Sequence, residues 1–83
     1  MKDKIIVQFE RSKTGELIDL EIPLNITANE LVHSLNEGLK LDIDLNNVAE
    51  NYLVSENPVA LLRGDIVLEN LGLRDGSKIC FQR

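Results

Sequence analysis

Two runs of alternating apolar and polar residues, set either side of a glycine-bearing turn, restrict this chain more than any other feature. In Lys4-Ile-Ile-Val-Gln-Phe9, the side chains of Ile5, Val7 and Phe9 share one face and Gln8 lies opposite. In Leu17-Ile-Asp-Leu-Glu-Ile22, Ile18, Leu20 and Ile22 point one way and Asp19 and Glu21 the other. Period two among β-branched residues predicts strands. Ser12-Lys-Thr-Gly15 between them is a turn cluster in which Gly15 is free to take positive φ. The pair reads as a β-hairpin with one buried and one wet face. Pro23 closes the second strand, because it cannot donate to a ladder.

A helix follows. Thr27 stands before Ala28, and Glu30 comes three residues after Thr27. This spacing predicts a capping box, in which the two side chains each satisfy a free backbone N–H. Ala28, Leu31, Val32, Leu35 and Leu39 form one stripe at helical spacing, with His33, Asn36, Glu37 and Lys40 off it. Gly38 weakens the last turn and marks a candidate helix end.

Residues 41–51 are rich in Asp and Asn, with Leu41, Ile43 and Leu45 placed to plug the edge of a core. Tyr52–Ser55 and Val59–Leu62 read as short strands around the Asn57-Pro58 turn. Leu68, Leu71 and Leu73 form an apolar turn. Asp75-Gly76 then leads into a last strand, Lys78–Gln82, with Ile79 and Phe81 inward. The order hairpin, helix, short strands, turn and strand predicts an α+β fold, the β-grasp roll. It has a mixed sheet of four to five strands and one main helix, with the first and last strands parallel at its centre. The expected core is Ile5, Val7, Ile18, Leu20, Leu31, Leu35, Leu68 and Ile79.

Size and charge narrow the function. The 83 residues make one domain, 1–83, too short for a deep catalytic cleft. Nine basic against fourteen acidic residues leave a net charge of -5, which repels phosphate, so nucleic acid and anionic membranes are poor partners. The single Cys80 allows no internal disulfide and suits a reducing, cytoplasmic compartment. Apolar runs of three or four residues give neither a membrane span nor a signal peptide.

Catalytic and cofactor motifs are weak. Cys80 and His33 lie in distant elements with no third orienting group, so a nucleophilic pair is not expected and the chain reads as a non-enzyme. One Cys and one His cannot hold zinc. Asp42-x-Asp44-x-Asn46 opens like a calcium loop, but Asn47 and Leu53 stand where it needs Gly and a bidentate carboxylate. Asn25-Ile-Thr27 is formally a glycosylation acceptor, and Arg63-Gly-Asp65 an adhesion tripeptide. Each is explained by its place at a cap or turn. No phosphate-binding glycine motif is present, and no cofactor is expected. Ubiquitin-like modifiers and sulfur carriers of this architecture act through a flexible Gly-Gly tail. This sequence runs from its last strand into Phe81-Gln-Arg83, so neither conjugation nor sulfur transfer is expected.

Leu61-Leu62, five residues, Leu68, then Leu71, Leu73, Asp75-Gly76 and Ile79 resemble the closing segment of the small bacterial ubiquitin-like proteins called YukD and EsaB. The hairpin with Asp19-Leu20, then Leu31, Leu35 and Leu39, is similar to that family too. The resemblance implies a ubiquitin fold without conjugation, acting as a cytosolic accessory of the type VII (ESX-like) secretion system of Gram-positive bacteria. Its implied partner is a protein of the secretion machine. In related systems a similar domain is fused to a membrane component, so the chain can also be one domain of a longer protein. An adaptor of another pathway and a sulfur-carrier or conjugated protein are the alternatives. Neither the oligomeric state nor a catalytic residue follows from the resemblance.

The expected docking surface is the sheet face turned away from the helix. It should carry Ile6 and Gln8 from the first strand and Lys78 and Cys80 from the last, with Tyr52 or Val54 from the third. In this reading Ile6 and Val54 form a small apolar centre rimmed by Lys4, Lys78 and Arg63, the anatomy of a modest protein interface.

Overall fold

The computed structural model describes residues 3–47 and 49–81. The hairpin forms as read, with β1 over Lys4–Arg11 and β2 over Glu16–Pro23 in antiparallel register from Lys4↔Pro23 to Arg11↔Glu16. Both strands run longer than the alternation marks, because Glu10 and Arg11 still find partners in Leu17 and Glu16.

Helix α1 spans Ala28–Leu39. The Thr27 hydroxyl accepts the Glu30 N–H at 3.1 Å, and Glu30 Oε1 accepts the Thr27 N–H at 3.0 Å. The remaining first-turn donors are used as well. Ala28 N–H donates to Ile66 O at 2.8 Å, Asn29 N–H to Gly64 O at 2.9 Å and Leu31 N–H to Thr27 O at 3.0 Å. The Arg63-Gly-Asp65 turn is thereby an acceptor for the helix N-terminus, with Gly64 at φ +76°. Thr27→Ala is expected to cost about 1 kcal/mol through lost capping, read as a drop in thermal midpoint; coincident melts would refute the cap.

The helix does not end at Gly38. Lys40 takes the left-handed cap position at φ 53°, and the backbone N–H of this cap residue donates to Asn36 O. Asn36, expected on the wet side, is half-buried instead. Its Oδ1 accepts Ile43 N–H at 2.8 Å and its Nδ2 donates to Ile43 O at 3.1 Å, clasping the loop beyond the helix. That clasp holds Leu41 and Ile43 in the core.

The short strands are β3, Leu53–Glu56, and β4, Ala60–Leu62. Tyr52 and Val59 fall outside them. A 3₁₀ turn covers Leu68–Leu71, and β5 spans Lys78–Phe81. Gln82, expected at the end of β5, lies outside the described residues. The sheet order is β2-β1-β5-β3-β4, with β1 and β5 parallel at the centre and the other pairs antiparallel. This is the β-grasp roll. Among the described residues no helix is long and apolar enough to cross a membrane.

The core lies between α1 and the inner face of the sheet. Ile5, Val7, Phe9, Leu53, Leu62 and Ile79 from the strands meet Leu31, Val32 and Leu35 from the helix, with Leu68 closing one end. Ile18 and Leu20 were expected there and are only half-buried, while Ile22 is buried. The reason is position: β2 is an edge strand with a neighbour on one side only.

Two fully buried serines were not foreseen. Ser55 Oγ donates to Pro58 O at 2.8 Å, across the turn that contains the cis Asn57-Pro58 bond. Ser77 Oγ donates to Asn57 O at 2.8 Å and accepts Arg74 N–H at 3.1 Å. The β3–β4 turn is thus bolted to the turn before β5 by short polar side chains, which carry no periodic signal.

Candidate protein-binding face

The outer face of the sheet is built by the residues out of phase with the core. Its composition follows from register. One row crosses all five strands: Leu17 on β2, Glu10 on β1, Cys80 on β5, Val54 on β3 and Leu61 on β4. The next row holds Asp19, Gln8, Lys78 and Glu56. Ile6 pairs with Glu21 in a third row. Adjacent strands stand about 4.8 Å apart, so neighbours within a row are in side-chain contact range.

Ile6, Gln8, Val54 and Lys78 therefore do share one face, but Ile6 and Val54 do not form one centre. The polar row through Gln8 and Lys78 separates them. The accessible apolar centre is instead Val54, half-buried, and Leu61, 47% exposed, next to the buried Cys80. The sequence does not assign Leu61 to this face, because alternation across a three-residue strand is too short to give its phase. Nor does Arg63 rim this face. It lies with Asn29, Asn51, Gly64 and Asp65 around a depression beside the start of α1.

The charges on this face are organised around Lys78. Its Nζ stands 3.4 Å from Glu10 Oε1. The hydrogen bond with Glu10 raises the Lys78 ammonium above its ordinary value, against a smaller opposing effect of desolvation. Cys80 faces outward yet is only 2% exposed. Its Sγ lies 3.7 Å from Glu56 Oε1 and 3.9 Å from Glu10 Oε1, so the long acidic side chains roof it. Burial first, and the Glu56 carboxylate second, push the thiol above its ordinary range.

Both shifts act in alkaline solution with the same sign. The unfolded thiol ionises at its ordinary value while the folded one keeps its proton, so stability falls as pH rises through that range. The contribution of Lys78 is whole below the ordinary lysine value and is lost as pH rises through its raised folded value. Cys80 in the native domain is expected to react with a disulfide reagent at pH 8 at least about tenfold more slowly than in the urea-unfolded chain. Cys80→Ser should flatten the fall in melting temperature between about pH 8 and pH 10. Equal rates in the two states would show an accessible thiolate.

Other sequence candidates are not assembled. His33 sits on the exposed side of α1, 3.9 Å from Glu37 Oε2, on the side of the sheet opposite Cys80. Asp44 Oδ1 accepts Asn46 N–H at 3.0 Å in a local turn. Among the described residues no group of three His, Cys, Asp or Glu side chains is placed to hold a metal ion.

The architecture is that of a ubiquitin-like domain. The chain superposes on the C-terminal ubiquitin-like domain of mouse tubulin-specific chaperone e with a TM-score of 0.70 at 14% identity, covering 94% of this chain and 84% of that one. The ubiquitin of Caldiarchaeum subterraneum gives 0.67 at 18% identity, over 93% and 89% of the two chains. The ubiquitin-like domain from tubulin-binding cofactor B gives 0.68 at 18%, over 96% and 89%. These likenesses establish the fold. No protein-family model matches the sequence, and no curated protein matches it.

Proposed function

We propose that this domain is a non-enzymatic, non-conjugated ubiquitin-like binding module. In this reading it docks on a protein component of a type VII secretion system in the cytoplasm of a Gram-positive bacterium. The observation that carries the binding reading is the half-buried Val54 beside the exposed Leu61 on the face the helix leaves uncovered. An apolar centre bordered by Glu10, Glu56, Gln8 and Lys78 has the anatomy of a modest protein interface. The secretion assignment rests on the resemblance of Leu61-Leu62, Leu68, Leu71, Leu73, Asp75-Gly76 and Ile79 to the closing segment of YukD and EsaB. The structure adds a reason for part of that segment. Asp75 Oδ1 accepts Ile6 N–H at 2.8 Å and Gly76, at φ +89°, donates its N–H to Ile6 O at 3.0 Å, so this turn fastens β5 to β1.

The test replaces Leu61 with a photo-crosslinking phenylalanine in the cell that encodes the chain. Crosslinks to a component of the secretion machine are the expected result. Crosslinks to an unrelated complex would move the module to another pathway. Incubation of the chain with ATP and an activating enzyme should leave its mass unchanged; an adenylate or thioester adduct would make it a carrier.

A further inference from the structure

A second surface lies on the helix side of the sheet. Beyond the last turn of α1, Arg11 and Lys13 from the first hairpin and Lys40 to Ile43 from the loop after the helix border an open pocket of about 290 Å³, completed by Glu50 and Phe81. Leu41, Ile43 and Phe81 are buried and form its apolar floor. Its rim holds three of the nine Lys and Arg residues of a chain whose net charge is -5. Arg11 Nη1 donates to Leu39 O at 3.4 Å, at the helix C-terminus. Lys13 and Lys40 form no ion pair among the described residues.

We propose that this pocket receives an acidic segment of a protein partner, with an apolar side chain against Phe81 and Leu41 and carboxylates reaching Arg11, Lys13 and Lys40. Charge complementarity selects the occupant: cations concentrated at one end of an acidic domain attract a segment the rest of its surface repels. A compact dianion such as phosphate fits less well. Asp42 and Glu50 line the same pocket, and the helix end here is the C-terminal one, whose partial charge disfavours anions. An extended segment spreads its carboxylates to the tips of the lysines and fills the apolar floor between them. The pocket and the Cys80–Val54–Leu61 row lie on opposite sides of the sheet, so both can be occupied at once. The proposal shares with the preceding reading only the premise that the domain binds proteins.

The experiment selects random twelve-residue peptides on the immobilised domain and titrates the enriched ones into labelled protein by NMR. Enrichment of Asp and Glu beside Leu, Ile or Phe is expected, with amide shifts at Lys13, Lys40 to Ile43 and Phe81, and affinity that falls as salt is raised. The double variant Lys13→Glu, Lys40→Glu should bind about tenfold or more weakly with an otherwise unchanged spectrum. The neutral pair Lys13→Gln, Lys40→Gln should give a smaller loss and guards against misfolding of the first. Leu61→Asp should bind the peptides as the parent does, which separates this site from the outer face. Peptides without acidic enrichment, equal binding by the charge-reversed variant, or shifts confined to the outer face would each overturn the proposal. So would engagement of the pocket by phosphatidylglycerol vesicles where no acidic peptide engages it.

Discussion

Leu61→Asp is expected to abolish docking through the outer face, and with it secretion by the encoding cell, while leaving the domain folded. Leu61 is 47% exposed and contributes no volume to the core, so its replacement falls among surface changes that shift stability by about half a kilocalorie per mole. In a complex the same carboxylate would be desolvated beside Val54 and Cys80, with Glu56 and Glu10 already near the thiol. Burying an unpaired charge is among the largest penalties an interface can carry. Ile6→Asp is the matched control: Ile6 is 46% exposed on the same face, but it stands in another row, opposite Glu21. A secretion assay with both variants, each checked by thermal melting, decides the matter. Wild-type secretion by Leu61→Asp would remove the outer face as the docking surface and turn attention to the helix side with Glu37. Equal losses in both variants would make the interface span all three rows.

Phe9→Ala is expected to cost about 3–5 kcal/mol, the largest single effect on stability. The side chain is fully buried on the central strand, flanked in register by Ile18 and Ile79. Removing the ring loses its transfer energy and leaves a cavity that strands paired on both sides cannot collapse to fill. A domain of this size holds about 4–12 kcal/mol in all, so about a quarter or more of its stability depends on this one ring. Urea unfolding should show a lower midpoint at an unchanged slope. Leu17→Ala, on a residue 53% exposed, should move the midpoint hardly at all. A loss below about 1 kcal/mol for Phe9→Ala would mean that the ring is not in the core.

The alternation in β1 and the Thr27–Glu30 spacing are local signals, and local signals were readable. Each strand residue was assigned to a face because successive side chains point to opposite sides whatever the neighbours are. The helix start was readable because its cap is made by residues three apart. Its end was not, because Lys40 takes the left-handed cap one residue past the last turn while Asn36 clasps Ile43.

What a residue meets across the sheet is a matter of register and strand order, set by pairings between segments up to about seventy residues apart. Periodicity states the face and is silent on the row. For that reason the pattern puts Ile6 and Val54 on one face without showing that Gln8 and Lys78 come between them, and it gives no outward phase for Leu61. Ile18 and Leu20 have the pattern of core residues and the exposure of an edge strand. Cys80 has the phase of a surface residue and is buried by two carboxylates that reach over it from β1 and β3. The cations around Phe81 come from the first hairpin and the loop after α1, and only the closed roll brings them to one pocket. Sequence alone determined the order of the elements, the faces of β1 and α1 and the fold class they build. Neighbours across the sheet, burial at its edges and the convergence of distant charges were decided by tertiary structure, because each depends on contacts that no local period encodes.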